Sequence, residues 1–90
     1  MKSDFNEALA AVVSERRYQE MRKVRDSGQE SHSVGEYLLY MQDYLNEAIH
    51  VAARTWGPDA PAKTLEIVRK VTALGFACME DNGSPKREGT

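Results

Sequence analysis

Residues 33–55, which read SVGEYLLYMQDYLNEAIHVAART, decide the fold of this chain. Ser33 followed three residues later by Glu36 is the pattern of a capping box, in which two side chains satisfy backbone N–H groups at a helix start. Behind the box, apolar residues recur with the alternating three- and four-residue spacing of a helical stripe: Leu38, Met41, Leu45, Ala48 and Ala52. The stretch predicts a helix from Val34 to about Thr55 that is either the centre of the fold or an oligomer interface.

A second helix is predicted on the N-terminal side of this stretch, from about Asp4 to Arg25, with Ser3 as its N-cap. Its first half carries an apolar stripe formed by Phe5, Leu9, Val12 and Val13. Its second half is far more polar. We therefore expect that half to project beyond the core or to pack on a partner.

A third helix is predicted on the C-terminal side, from about Ala60 to Met79 or Glu80, with Asp59 as its N-cap. Its apolar stripe consists of Ile67, Val71, Leu74 and Cys78. Gly75 lies inside this helix, where glycine costs about 1 kcal/mol relative to alanine. We attribute this glycine to the close approach of another helix.

The sequence shows no sustained alternation of apolar and polar residues, so no strand is expected. These patterns predict an all-α fold, a compact bundle of three main helices forming one domain over residues 1–83, with a flexible tail over residues 84–90. Ninety residues bury only a modest core. The apolar surface of the second helix predicts that homo-oligomerisation completes the bundle.

Composition narrows the function classes. The net charge of −2 disfavours a general nucleic-acid binder. The single cysteine excludes an intramolecular disulfide. The N-terminus lacks the apolar run of a signal peptide, and no apolar stretch is long enough to span a membrane. A cytoplasmic protein is therefore expected. If the chain is phage-encoded, this is the cytoplasm of the host cell. Residues 16–25 hold five basic residues and one acid, which suits a small phosphate-bearing ligand.

Residue types that bind nucleotides cluster in and after this basic run. Arginine forks bind phosphate through two hydrogen bonds, and tyrosine rings stack on bases. The predicted ligand-binding residues are Arg16, Tyr18, Gln19, Arg22, Arg25, His32, Tyr37 and Tyr40. A solvated helix end uses the same residue types, and that alternative stays open. Trp56 is interpreted as a core plug at a corner rather than as a stacking platform.

Candidate metal ligands lie on one face of the second helix, namely Asp43, Glu47 and His50, although a solvated helix face explains them more simply. No catalytic residue is assigned, because the sequence contains no nucleophile motif and no phosphate-binding glycine loop. The expected state of Cys78 is a buried, inert thiol.

Four short segments carry a resemblance to a known family. They are Glu15-Arg16 with Gln19, the HSVGEY sequence of residues 32–37, the KVTAL sequence of residues 70–74, and the CME sequence of residues 78–80. The set resembles small helical proteins common in bacteriophage genomes, which in turn resemble MazG-like, all-α nucleoside triphosphate pyrophosphohydrolases.

That enzyme family holds magnesium with E-x-x-E and E-x-x-D pairs on two helices. In this chain the only acid pair with that spacing is Asp4 and Glu7, at the predicted start of the first helix. The resemblance therefore implies a nucleotide-sized site between helices of an oligomer, without the family's catalysis.

Three functional hypotheses follow. The first is a non-catalytic binder of a small nucleotide-derived ligand, similar in outline to phage proteins that sequester cyclic nucleotide or ADP-ribose immune signals. The second is a protein–protein interaction module that inhibits a host factor. The third is a MazG-like pyrophosphohydrolase with an atypical magnesium site at Asp43 and Glu47. The expected partners are further copies of the chain, a nucleotide-type ligand and, for the second hypothesis, a host protein. Neither a membrane nor a nucleic acid is expected, and no cofactor is expected except magnesium for the third.

Overall fold

Three helices make up the regular structure of the chain. The structure is a computed structural model that describes residues 2–27 and 31–89, with the backbone alone described for residues 23–27. The helices are α1 (Phe5–Ser27), α2 (Val34–Arg54) and α3 (Ala60–Asn82), and no strand occurs in the described ranges. The prediction of an all-α bundle of three main helices is confirmed.

Reciprocal side-chain caps fix the starts of α1 and α2. Ser33 Oγ accepts a hydrogen bond from the Glu36 N–H at 3.2 Å, and Glu36 Oε1 accepts one from the Ser33 N–H at 2.9 Å, so the predicted capping box is present. At the start of α1 the same pattern joins Asp4 and Glu7, at 2.8 and 3.2 Å. The predicted N-cap Ser3 is therefore wrong by one residue. Aspartate with glutamate three residues later satisfies the same two N–H groups.

The helix α3 begins at Ala60 with Asp59 at the N-cap position, as predicted, but its capping and its C-terminal end differ from the prediction. Asp59 makes no side-chain cap hydrogen bond, because its backbone is helical (φ −88°, ψ −7°) rather than extended as an N-cap requires. At the other end the helix continues to Asn82. Gly83 stops it with a φ of 120°, and its N–H donates to the carbonyl of Met79. Only glycine adopts that φ without strain.

The third helix lies at the centre of the molecule. Both α1 and α2 pack on α3, and the backbones of α1 and α2 do not approach each other anywhere in the described ranges. The molecule is a slab of 39 × 37 × 22 Å. Of the two roles considered for the second helix, the central one is therefore wrong, because α3 occupies that place.

Small residues dominate the core. The buried apolar residues are Tyr37, Ala48, Ile67, Ala73 and Ala77, of which three are alanines. The predicted stripe of α2 is only partly covered, with Ala48 buried, Met41 half-buried, and Leu38, Leu45 and Ala52 exposed. In the predicted stripe of α3 only Ile67 is fully buried, and Val71, Leu74 and Cys78 are half-buried.

The two halves of α1 agree with the prediction only in part. Val12 and Val13 of the apolar stripe are half-buried. Phe5 is 79% exposed and Leu9 is also exposed, although both belong to the apolar stripe. The polar second half is instead held on α3, through Glu15, Arg16 and Gln19. Paired charges and hydrogen bonds, which a hydropathy pattern does not register, attach this helix.

The corner between α2 and α3 does not contain a core plug. Trp56 is 87% exposed, so the interpretation of this residue as a plug is wrong. Gly57 beside it has a φ of 97°, and this left-handed turn directs the chain from α2 into α3.

Replacement of Gly75 by alanine is expected to stabilise the protein. A Cβ at this position would lie 3.5 Å from Met41 Cε, an ordinary van der Waals distance, so the space occupied by Gly75 does not require glycine. Gly75→Ala should raise the free energy of unfolding by about 0.5–1 kcal/mol through helix propensity, as measured by urea denaturation. The control is Gly83→Ala, which should lower it by ~1 kcal/mol or more because of the positive φ. A loss of stability in Gly75→Ala would restore the close-approach interpretation.

Candidate functional site

An open cleft lies between α1 and α2, with α3 as its floor. Its volume is about 1110 Å³. It exists because α1 and α2 are each attached to α3 but not to each other. The α3 side chains that form the floor are Arg69, Lys70, Leu74 and Ala77. The cleft is the site that the fold offers to a ligand, since small molecules bind in concave surfaces between helices of bundles.

Seven of the eight predicted ligand-binding residues line this cleft. They are Arg16, Tyr18, Gln19 and Arg22 on α1, and His32, Tyr37 and Tyr40 at the start of α2. The side chain of the eighth, Arg25, lies outside the described residues. These residues belong to two separate segments of the sequence and to two helices that do not touch. The structure brings them together around one cleft.

The lining residues that sequence reasoning missed include Tyr44, Arg69 and Lys70. Helical spacing indicates Tyr44, because it lies four residues after Tyr40 and seven after Tyr37, on the same side of α2. No local signal indicates Arg69 and Lys70. Their position follows only from the packing of α3 between the other two helices.

All four tyrosines of the chain line the cleft. His32, Tyr37 and Tyr40 form a cluster of edge-to-face rings, with centroid separations of 5.5–6.4 Å and interplanar angles of 85–88°. Tyr37 is buried, whereas Tyr40 is 42% exposed and Tyr18 on the opposite wall is 49% exposed. The cleft therefore offers aromatic surface on both walls.

Cations lie over two of these rings. The Arg22 guanidinium is 6.0 Å from the centroid of the Tyr18 ring, and Lys70 Nζ is 5.7 Å from that of Tyr44. Both are cation–π distances. Each positive charge is held beside an aromatic face that lines the cleft.

Two other arginines of the cleft hold the fold together. Arg16 bonds to Glu20 at 2.8 Å and to Glu80 on α3 at 2.5 Å. Partial burial opposes the charged form of Arg16, but these hydrogen bonds and negative charges outweigh it and raise its pKa. Arg69 Nε donates to Glu15 at 2.7 Å, and Glu15 is buried. Both arginines thus join α1 to α3.

The described basic side chains of residues 16–22, namely Arg16, Arg17 and Arg22, do not form a single basic patch. Arg17 lies on the other side of α1, where it lines a small groove with Val12, Val13 and Phe76. Within the cleft, four cations (Arg16, Arg22, Arg69 and Lys70) face four carboxylates (Glu15, Glu20, Asp43 and Glu47). A balanced lining of this kind suits a ligand that carries hydrogen-bond donors as well as negative charge.

The predicted metal trio is not assembled. Asp43 and Glu47 line the cleft, but His50 is exposed on α2 and does not. Over residues 2–27 and 31–89, no three His, Cys, Asp or Glu side chains come close enough together to hold a metal ion. Helical spacing puts the three residues on one face of α2, but the cleft does not extend along that face as far as His50.

Gln19 contributes a buried acceptor without a partner. Its Nε2 donates to the carbonyl of Lys70 at 3.3 Å, which fixes the orientation of the amide because a carbonyl can only accept. Its Oε1 is buried and has no hydrogen-bond donor within residues 2–27 and 31–89. An acceptor left in this state is unusual in a folded protein and costs about 1–3 kcal/mol.

Asp81 near the end of α3 anchors the aromatic cluster. Its Oδ2 accepts a hydrogen bond from the Tyr37 hydroxyl at 2.5 Å and another from the His32 N–H at 3.3 Å. Asn82 Nδ2 donates to the His32 carbonyl at 3.0 Å. Burial raises the pKa of Tyr37 well above its usual range, and the hydrogen bond and negative charge of Asp81 raise it further.

Comparison with known proteins gives no family assignment. No family model, no curated protein and no solved structure matches this chain. The resemblance to MazG-like proteins consequently stays a prediction. Among the described residues, no helix is long and apolar enough to cross a membrane.

The raised pKa of Tyr37 predicts a loss of stability at alkaline pH. An unfolded tyrosine ionises near pH 10, whereas folded Tyr37 keeps its proton to higher pH. Above about pH 10 the folded state therefore binds more protons than the unfolded state, and the free energy of unfolding falls as pH rises.

This decline is expected in urea denaturation measured at increasing alkaline pH, and Tyr37→Phe should remove most of it. Tyr40→Phe, a change to a neighbouring ring of the same cluster, is the control and should keep the wild-type slope. An unchanged slope in Tyr37→Phe would show that other groups cause the decline.

Proposed function

We propose that this chain binds a small nucleotide-type ligand in the cleft and does not turn it over. One observation carries the proposal, namely that all four tyrosines line the cleft and cations lie over two of the rings. Aromatic faces bind bases by stacking, and the neighbouring cations attract phosphate. A volume of about 1110 Å³ accommodates a nucleotide.

The base is assigned to the exposed tyrosine rings. Tyr18 and Tyr40 stand on opposite walls, and each keeps more than 40% of its surface exposed. Stacking on such a ring contributes about 1–3 kcal/mol per base and tolerates any base. The unpartnered Oε1 of Gln19 would accept a hydrogen bond from an amino group of the ligand or from a water molecule that reaches it.

The phosphate is assigned to Lys70 and Arg22. Arg16 and Arg69 already hold carboxylates, whereas Lys70 has no carboxylate partner among the described residues. The carboxylates of Asp43 and Glu47 on the α2 wall suit the hydroxyl groups of a ribose, since ionised carboxylates only accept hydrogen bonds. Each part of a nucleotide thus has a group of matching chemistry in the cleft.

Binding without turnover lowers the free concentration of the ligand. A phage protein that did this to an immune signalling nucleotide would counter host defence, and this is the biological role that we propose. Cyclic nucleotides and ADP-ribose are therefore included among the probes with AMP and ATP.

The test is titration calorimetry of the purified protein with each probe, followed by mass spectrometry of the released ligand. We expect saturable binding of at least one probe and release of that probe unchanged. Tyr18→Ala and Arg22→Ala should each weaken binding about tenfold or more, given the stacking energy of a base. A dissociation constant of 1 mM corresponds to a binding free energy of only ~4 kcal/mol. If no probe binds at about 1 mM, the proposal is refuted.

Matched controls separate the cleft from the rest of the surface. Arg17→Ala removes the same charge from the same helix outside the cleft, and Trp56→Ala removes an exposed aromatic ring at the corner. Both should bind as the wild type does. Equal weakening in Arg17→Ala and Arg22→Ala would indicate a general charge effect instead of a site.

A second function, pyrophosphohydrolysis of a nucleoside triphosphate, is favoured by one observation. Asp43 and Glu47 line the cleft one helical turn apart, on the same wall. Magnesium in phosphoryl-transfer sites is often held by one or two carboxylates together with substrate phosphates, so two carboxylates are sufficient. The third hypothesis therefore stands as the alternative to simple binding.

Pyrophosphate release from nucleoside triphosphates in the presence of magnesium tests this alternative. If it holds, Asp43→Asn and Glu47→Gln each abolish release, because the phosphates lose the metal that neutralises them. Glu66→Gln, at an exposed acid of α3 that does not line the cleft, keeps the wild-type rate. No release by the wild-type protein from any of the four common ribonucleoside triphosphates dismisses the enzyme and leaves the binder.

A further inference from the structure

On the side opposite the cleft, α2 and α3 carry several exposed apolar residues. We call this side the back face and define it by six residues, which are Leu38, Leu45 and Ile49 on α2 and Val68, Phe76 and Met79 on α3. Between 41% and 62% of each of these residues is exposed. Isolated exposed apolar residues are ordinary, but a contiguous face of them marks an interaction surface.

Helical geometry puts the α2 residues of the back face away from the cleft. Tyr37 and Ala48 are buried and define the direction from α2 towards α3. At 100° per residue, Leu38, Leu45 and Ile49 lie about 80–120° to one side of that direction. The cleft residues Tyr40, Asp43 and Glu47 lie to the other side.

The α3 residues of the back face follow the same geometry. Val68 and Met79 lie on the opposite side of α3 from the floor residues of the cleft, and Phe76 lies between that side and α1. Phe76 does not line the cleft and instead lines a small groove with Val12, Val13, Arg16 and Arg17 of α1.

The amount of exposed surface is larger than a chain of this mass leaves uncovered when it folds alone. The accessible surface is 7237 Å², against ~5300 Å² from the scaling for monomers of 10.1 kDa. Part of the surplus of roughly 1900 Å² belongs to residues 83–89, which lie outside any helix. The surplus as a whole is more than twice the ~800 Å² that each partner buries in a standard interface.

We propose that the back face pairs with the back face of a second copy of this chain. Helices form stable domains when two layers bury their apolar sides against each other, and the slab supplies only one layer. In a pair related by a two-fold axis, the back face of one copy contacts the same back face of the other. None of its six residues is charged, so no charge would be repelled by its own copy. The pair is a six-helix, two-layer bundle whose two clefts open on opposite outer sides.

The first test is sedimentation velocity of the purified protein at micromolar concentration. We expect a species of twice 10.1 kDa. Ile49→Lys and Leu38→Lys should each raise the dissociation constant roughly hundredfold or more, because the pair contains every substitution twice and buries each new charge without a partner. Both residues are more than half exposed in the single chain, so its helicity by circular dichroism should not change.

Leu39→Lys is the matched control. Leu39 is 67% exposed and adjacent to Leu38, but it lies on the side of α2 that points away from α3 and outside the back face. This variant should remain paired. A monomer at every concentration up to about 100 µM would overturn the proposal, as would equal dissociation of Leu38→Lys and Leu39→Lys.

Ligand titration separates this proposal from that of the cleft. Leu38→Lys should bind the nucleotide probes as the wild type does, and Arg22→Ala should stay paired. A protein that is monomeric alone and pairs only with a different polypeptide would overturn pairing of identical copies.

Discussion

The ion pair between Glu15 and Arg69 determines where α1 lies, and the cleft depends on it. Glu15 is buried with only 7% of its surface exposed, and a buried carboxylate is stable only when it is paired. The pair, together with Arg16 and Glu80, attaches α1 to α3 through charge, beside the half-buried Val12 and Val13 of the apolar stripe. Because α2 is attached to α3 by packing of Ala48 and its neighbours, the two outer helices are held independently, and the space between them stays open.

This arrangement gives the two sides of the slab different chemistry. The polar half of α1, the tyrosines of α2 and the charged floor of α3 meet on one side, and uncharged aliphatic and aromatic side chains meet on the other. The opposite sides of a single helical layer can thus have separate roles, one for a small ligand and one for another layer. Both α2 and α3 contribute to both sides, so a substitution that tilts either of these helices would alter both.

Features that depend on residues close together in the sequence could be predicted, and features that depend on distant residues could not. The α2 cap was predictable because Ser33 and Glu36 satisfy each other within one turn. Residue type and helical spacing pointed to Tyr18 and Tyr40, and both line the cleft. The central position of α3 was not predictable. By hydropathy α2 is the more apolar helix, but the residues buried in the core include the small alanines of α3. The attachment of α1 was missed for a related reason, since its partners Arg69 and Glu80 lie more than fifty residues away.

The distribution of the aromatic residues has an optical consequence. The four tyrosines line the cleft, whereas the single tryptophan, Trp56, stands in water at the corner between α2 and α3. The two kinds of chromophore therefore sense different places. Tyrosine emission follows the surroundings of the cleft, and the indole, already hydrated in the native state, changes its emission little when the chain unfolds. The tyrosines therefore report on the cleft, and the tryptophan serves as an internal reference.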